Sequence, residues 1–260
     1  MCAGDARPLR SPIESTACNT PSPTVLPRAD PPHQAFYLKI RRALLHHGLG
    51  QVPGHTLPAN ARERPYSEHP STKISLAVDI VKYHHGKACA PPLIGGSNGD
   101  TGYTIPTEAP PGWMTPPNAP IDKIFMYLAW PDSNWLVGQA LDEAGIKYME
   151  ITGKDDVASR AKLLEQFRDS TDTYVCLLSS VGNCGLNLAF ANIMIIVDNM
   201  WSAQEVEQLI GRVWRHGQQK EVIAYFCIAI QSSDIFLSNL SLDKGYMHKV
   251  LIGMPHKLSK

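Results

Sequence analysis

Two stretches of this 260-residue sequence gather residues whose types and spacing could do chemistry. In SAQEVEQLIGRVWRHGQQ, residues 202–219, a helical repeat of about 100° per residue puts Gln204, Gln208, Arg212 and Arg215 on one narrow face. Val206, Leu209, Ile210 and Val213 fall on the opposite face. A helix patterned this way buries its apolar stripe and presents two guanidiniums and two amides together. Two close guanidiniums repel unless an anion or acid lies between them, and the neighbouring acids, Glu205 and Asp198, match them poorly. A phosphate suits paired planar forks well; an ordinary solvated face is the other reading, and spacing alone leaves both open. In SSVGNCGLNLAFAN, residues 179–192, two hydroxyls (Ser179, Ser180) and two glycines (Gly182, Gly185) precede Asn187. Small residues let successive backbone amides close on an anion, and they equally suit a tight strand-to-helix turn.

Both stretches need elements to position them. KIFMYLA (123–129), IKYMEI (146–151), TYVCLL (173–178), IMIIV (193–197) and VIAYFCIA (222–229) read as strands, the last three as apolar runs buried on both faces. Helices are expected over 133–145, with Gly145 as stop signal, from Asp155 or Asp156 to about Phe167 with Val157, Ala161 and Leu164 inward, and over 202–216. Strands alternating with helices at this spacing predict an α/β fold, a doubly wound, mainly parallel sheet flanked by helices. Such sheets place their chemistry in loops at the carboxyl ends of the strands.

The composition divides the chain. Nineteen of its 21 prolines precede residue 121; residues 1–120 carry 11 basic and 8 acidic side chains, and residues 121–260 carry 13 and 16. Proline at that density resists compact regular structure. The expected organisation is a Pro-rich, largely irregular arm over 1–70 with a possible helix at 35–47 (apolar stripe Phe36, Ile40, Leu44). A lead-in helix at 71–85, capped by Ser71 or Thr72 and buried through Ile74, Ala77, Val78 and Val81, then opens a 71–120 segment that ends in a long surface loop. The folded lobe covers 121–250 and a tail 251–260. No apolar run approaches a membrane span and no secretory signal pattern opens the chain, so no membrane partner is expected. Six cysteines without a CxxC pair read as reduced intracellular thiols.

QLIGRVWRHGQ is similar to motif VI of superfamily-two helicases, in the Q-x-x-G-R-x-x-R-x-G-Q form of Swi/Snf-type ATPases. LLSSVGNCGLNLAFANIMIIVDNMWSAQ resembles their motif V and the D-x-x-W-x-x-Q segment after it. KIFMYLAW stands at motif IV, GKDDVASRAKLLEQFRD at the helix that follows, and STKISLAVDIVKYH at the helix leading into the lobe. The resemblance implies a RecA-like second lobe, the helicase C-terminal domain, which with a first lobe sandwiches ATP and grips a nucleic-acid duplex, here double-stranded DNA in a nucleus. Carried over by position, Arg212 and Arg215 would reach the triphosphate, with Arg215 as arginine finger. Gln208 and Gln204 would lie on the ATP side, Gly185 and Asn187 near the nucleotide, and Ser179, Ser180 and Gly182 at the nucleic-acid backbone.

The sequence also departs from that pattern. Leu128 replaces a hydroxyl usual in motif IV, and Ser180 stands where a basic residue is often found. No G-x-x-x-x-G-K-[ST] and no D-E-x-H sequence occurs, so ATP with magnesium is expected only through a first lobe, in cis or in trans, and not on this chain alone. Gly95-Gly96-Ser97-Asn98-Gly99 fits a hydrolase G-x-S-x-G, but its Pro91–Pro92 flank argues for a loop. Gly48-Leu49-Gly50 lacks the preceding strand of a dinucleotide site, the His46–His47 and His84–His85 pairs lack a second ligand cluster, and Cys184 lacks a cationic neighbour. Two function classes survive: half of an ATP-driven DNA motor, or a catalytically silent helicase-fold interaction module.

Overall fold

In the computed structural model the described residues are 32–50, 56–95, 102–179, 186–200, 202–236 and 238–239, with side chains from residue 38 onward. Five parallel strands form the centre: β3 (Ile124–Tyr127), β4 (Tyr148–Ile151), β5 (Val175–Leu178), β6 (Ile193–Ile196) and β7 (Ile223–Phe226), in the order β4-β5-β3-β6-β7. This is the doubly wound RecA-like arrangement. A two-stranded antiparallel hairpin, β1 (Ile94–Gly95) with β2 (Tyr103–Thr104), lies in the stretch read as surface loop. The helices are α1 (Pro32–Leu45), α2 (Thr72–His84), α3 (Asn134–Glu143), α4 (Val157–Asp169) and α5 (Ala203–Val213). Among the described residues no helix is long and apolar enough to cross a membrane.

Strand alternation sorts the core into two layers. Ile124, Met126 and Leu128 face one side and pack with Ile74, Ala77, Val78 and Val81 of α2 and Leu136, Val137 and Leu141 of α3. Phe125 and Tyr127 face the other and pack with Leu164 and Phe167 of α4 and Leu209 and Val213 of α5. Local chemistry sets the helix ends. Asp156 caps α4 by accepting the Ser159 amide at 2.6 Å, and Gly145, at φ +70°, closes α3 in a left-handed turn whose Ile146 amide reaches back to Leu141 O at 2.9 Å.

Four expectations are corrected by tertiary contacts. The run 222–229 supplies an edge strand, with Phe226 44% exposed. In α4 the buried residues are Leu164 and Phe167, whereas Val157, at 76% exposure, and Ala161 are exposed. Ser71 precedes α2 without a side-chain cap, its Oγ donating instead to Leu45 O. The stripe buried by α1 is Arg41 and Leu45, with Ile40 and Leu44 only half-buried, so this helix packs into the lobe through a different face from that predicted.

A buried polar cluster sits at the amino end of the sheet. Asp122, fully enclosed, accepts the Cys89 amide, Asn192 Nδ2 and Lys220 Nζ, each at 2.9 Å. His84 lies 3.9 Å from it, and its Nε2 meets the Tyr225 hydroxyl at 2.7 Å. The Leu93 amide donates to that same hydroxyl at 2.8 Å. Burial outweighs the attraction of Asp122 and pushes His84 down from 6.5 to about 4.

Two outcomes follow from this packing. Between pH 6.5 and 4 the unfolded chain takes up a proton at His84 that the folded chain refuses, so stability is complete above this window and falls as pH drops through it, by up to roughly 3 kcal/mol. Urea unfolding of His84→Gln should show a correspondingly shallower loss; parallel pH profiles for the two proteins would exclude this origin. Leu45→Ala removes a fully buried side chain and should cost about 2–5 kcal/mol. A change within about 0.5 kcal/mol would mean that α1 is a peripheral appendage.

Candidate nucleotide-facing site

The α5 helix runs antiparallel to the strands, from the carboxyl end of β6 to the amino end of the sheet. Ser202 caps it by accepting the Gln204 amide at 3.2 Å, and Leu209 and Val213 anchor it to the sheet. Gln204 and Gln208 are exposed and Arg212 is half-buried along one stripe. The helix stops at Val213, because Trp214 leaves the helical region at φ −83°, ψ 81°. Arg215 therefore stands in the following turn and not on the stripe, the helix ending three residues short of the predicted 216. The Gln218 amide donates to Arg215 O at 3.0 Å and closes this turn, in which Gly217 takes φ +99°. That conformation favours glycine over any L side chain. Arg215 is exposed, and no ion pair among the described residues engages its guanidinium.

The segment leaving β5 meets this turn. Leu188 N donates to Arg212 O at 3.1 Å, and Asn187, exposed, accepts the Ala189 amide on its own side chain at 3.2 Å. Asn187, Leu186 and Phe190 line one hollow of about 570 Å³ with His216, Gly217 and Arg168. Asn187 is thus gathered with Arg212 and the Arg215 turn, whereas Gln204 lies at the other end of α5, about 12 Å from Arg212 along the helix axis. Ser179 is completely enclosed just after β5, and its Oγ has no hydrogen-bond partner among the described residues. Ser180, Gly182 and Gly185, and with them Cys184 and the Gly96–Gly99 stretch, lie outside the described residues. Leu128, the residue in place of a motif IV hydroxyl, is buried in the core.

Sequence reasoning missed a second polar cluster at the carboxyl end of the sheet. Ala129 N donates to Asp198 at 3.0 Å, Lys73 and Asp234 form a buried pair at 2.7 Å, and Arg41 donates to Asn199 O while lying 5.4 Å above the Trp130 ring centroid. Burial holds the Asp198 carboxyl above the ordinary carboxylate range, the cations Lys73 and Arg41 opposing that shift. Burial likewise lowers Arg41. An arginine pair, Arg41–Arg42, in a Pro-rich stretch reads as a surface contact for DNA and gave no signal of this buried role. The His46 pair is also accounted for: one ring nitrogen lies 2.8 Å from His69 O and the other accepts the Gly48 amide at 3.0 Å.

Comparison with known proteins now adds a family. The helicase conserved C-terminal domain matches residues 120–217. The chain is 33% identical over 132 residues to the DNA repair and recombination protein RAD54 of Oryza sativa subsp. japonica, covering 50% of this chain and 14% of that protein. It is 36% identical over 110 residues to the DNA repair protein rhp54 of Schizosaccharomyces pombe, covering 42% of this chain and 13% of that one. The structure of the C-terminal part of the Fun30 ATPase domain aligns at 26% identity with a TM-score of 0.45, over 46% of this chain and 39% of that one. The match to the curated relatives thus spans about one seventh of their length. Residues 120–217 of this chain thus resemble the helicase conserved C-terminal domain, and the relatives that share this stretch are DNA repair proteins.

Proposed function

We propose that this lobe is the second half of an ATP-dependent DNA translocase of the repair type, working in the nucleus on double-stranded DNA and contributing its arginines to a nucleotide held by a first RecA-like lobe. The observation that carries this reading is the exposed guanidinium of Arg215, which no ion pair among the described residues engages, in a glycine-closed turn three residues beyond Arg212 and close to the Asn187 segment. A planar fork standing free of acids suits an anionic oxygen, and a triphosphate supplies several. A first lobe would bring the phosphate loop and magnesium that the sequence lacks. On this side of the cleft Arg215 meets charge developing on the terminal phosphate, Arg212 supports it, and Asn187 lies towards the sugar and base. DNA contact falls to the loop after β5, Ser180 and Gly182, since Ser179 is enclosed. The lobe's 13 basic against 16 acidic residues supply no general basic footprint, so duplex affinity rests on such local contacts and on the partner lobe.

Two measurements test this. The purified chain should hydrolyse no ATP above background; steady turnover by the chain alone that disappears in Arg215→Ala would refute the half-site reading. With a first lobe supplied, Arg215→Ala should lower turnover by about 10³–10⁵-fold while leaving stability within roughly 0.5 kcal/mol, and Arg215→Lys should rescue little because a point charge does not reproduce the fork. An unchanged rate, or a large stability loss, would make Arg215 a structural residue.

A further inference from the structure

Arg215 lies beyond the end of α5, so the helix does not determine where its guanidinium stands. What does is a set of contacts made after it. The Gln218 amide closes the turn on Arg215 O at 3.0 Å, and both ends of the Gln218 side chain are engaged. Its Nε2 donates to Ala191 O at 2.6 Å, and its Oε1 accepts the Lys220 amide at 3.0 Å. Ala191 belongs to the same tight segment as Asn187, because the Ala191 amide donates to Leu188 O at 3.0 Å. Two bonds therefore tie the Arg215 turn to the Asn187 segment. The first, Leu188 N to Arg212 O, acts before Arg215; the second, Gln218 Nε2 to Ala191 O, acts after it.

We infer that Gln218 is a positioning residue: its side-chain amide fastens the turn to Ala191 O and thereby fixes Arg215 relative to Asn187. The inference rests on the reading of Arg215 as the residue that meets the nucleotide. The side chain is half-buried and belongs to neither core layer, so its value lies in the two hydrogen bonds and not in packing. A rival anchor acts two residues later, where Lys220 Nζ reaches buried Asp122 at 2.9 Å. Either could hold the turn, and they are separable because Gln218→Met keeps the side-chain length and loses both bonds. Gln218→Glu keeps the acceptor for Lys220 N and sets a carboxylate against the Ala191 carbonyl.

The test has two arms. In the full chain, hydrogen exchange followed by mass spectrometry should show peptides covering 187–192 and 212–220 exchanging about five- to tenfold faster in Gln218→Met and Gln218→Glu, the strands keeping their protection. With a first lobe supplied, both variants should lose at least about tenfold in kcat with KM for ATP within about twofold, since a misplaced catalytic group costs rate and not ground-state binding. Unaltered exchange in both segments would overturn the inference, as would wild-type kcat in Gln218→Glu, or the full effect in Lys220→Met with none in Gln218→Met. Arg215→Ala in the same assay separates the two ideas. If it abolishes turnover and Gln218→Met does not, only the positioning role fails. If it has no effect, the nucleotide reading fails, and the positioning role with it.

Discussion

The lobe depends on one enclosed carboxylate. Asp122 sits two residues before the central strand β3, fully removed from solvent, and a bare carboxylate there would be prohibitively costly. It is tolerated because three parts of the chain satisfy it: the Cys89 amide from the segment after α2, Asn192 Nδ2 at the start of β6, and Lys220 Nζ after the Arg215 turn. Asp122 N in turn donates to Lys87 O at 2.8 Å. The partners support one another, and removing the Lys220 cation would leave an uncompensated buried charge costing about 3–5 kcal/mol. The arrangement links the fold to its site, since the cation that neutralises Asp122 stands two residues after Gln218.

The opposite end of the sheet is closed by the same kind of device with different donors. Lys73 pairs with Asp234 at 2.7 Å, and Arg41 covers the Asp198–Asn199 corner where β6 ends. Residues 41, 73, 220 and 234 all lie outside 120–217, the stretch that matches the helicase domain. The matched stretch holds the five-strand frame apart from β7, yet the ionic closure at each end comes from flanking sequence. The Pro-rich N-terminal part is consequently structural in this chain from at least α1 onward, with Leu45 in the core and Arg41 at the carboxyl end.

Periodicity made the frame legible because it reports burial on a local repeat. Strand runs such as IMIIV and the Leu209–Val213 side of α5 are fixed by what one element must bury, and they appear as read. Readings failed where a distant part of the chain decided the outcome. The apolar run of β7 resembles that of a central strand, but among the described residues no strand pairs with its outer edge. The phase of α1 is set by where Arg41 finds Asn199 O, a contact spanning 158 residues that no local pattern encodes. At the site, the residue types were legible and the geometry was not. Arg215 follows a 3.6-residue repeat from Gln204, yet the pull of Gln218 on Ala191 and of Lys220 on Asp122 turns the chain away from the helix first.

Arg41 and Arg215 show how differently one residue type can be used. A guanidinium taken out of water needs partners, and Arg41 has a carbonyl, an indole face and a nearby carboxylate, which hold it against its own desolvation. A guanidinium left in water needs none, so Arg215 can remain exposed at little cost to the fold, with no counter-ion among the described residues. That lack of commitment is what a ligand-binding arginine requires, because an acid already paired with it would have to be displaced before an anion could enter. In a lobe with more acids than bases, keeping carboxylates away from that turn is itself a constraint. It is met by a backbone that leaves the helix early and by hydrogen bonds that hold the turn through Gln218 and Lys220, with none spent on the Arg215 head group.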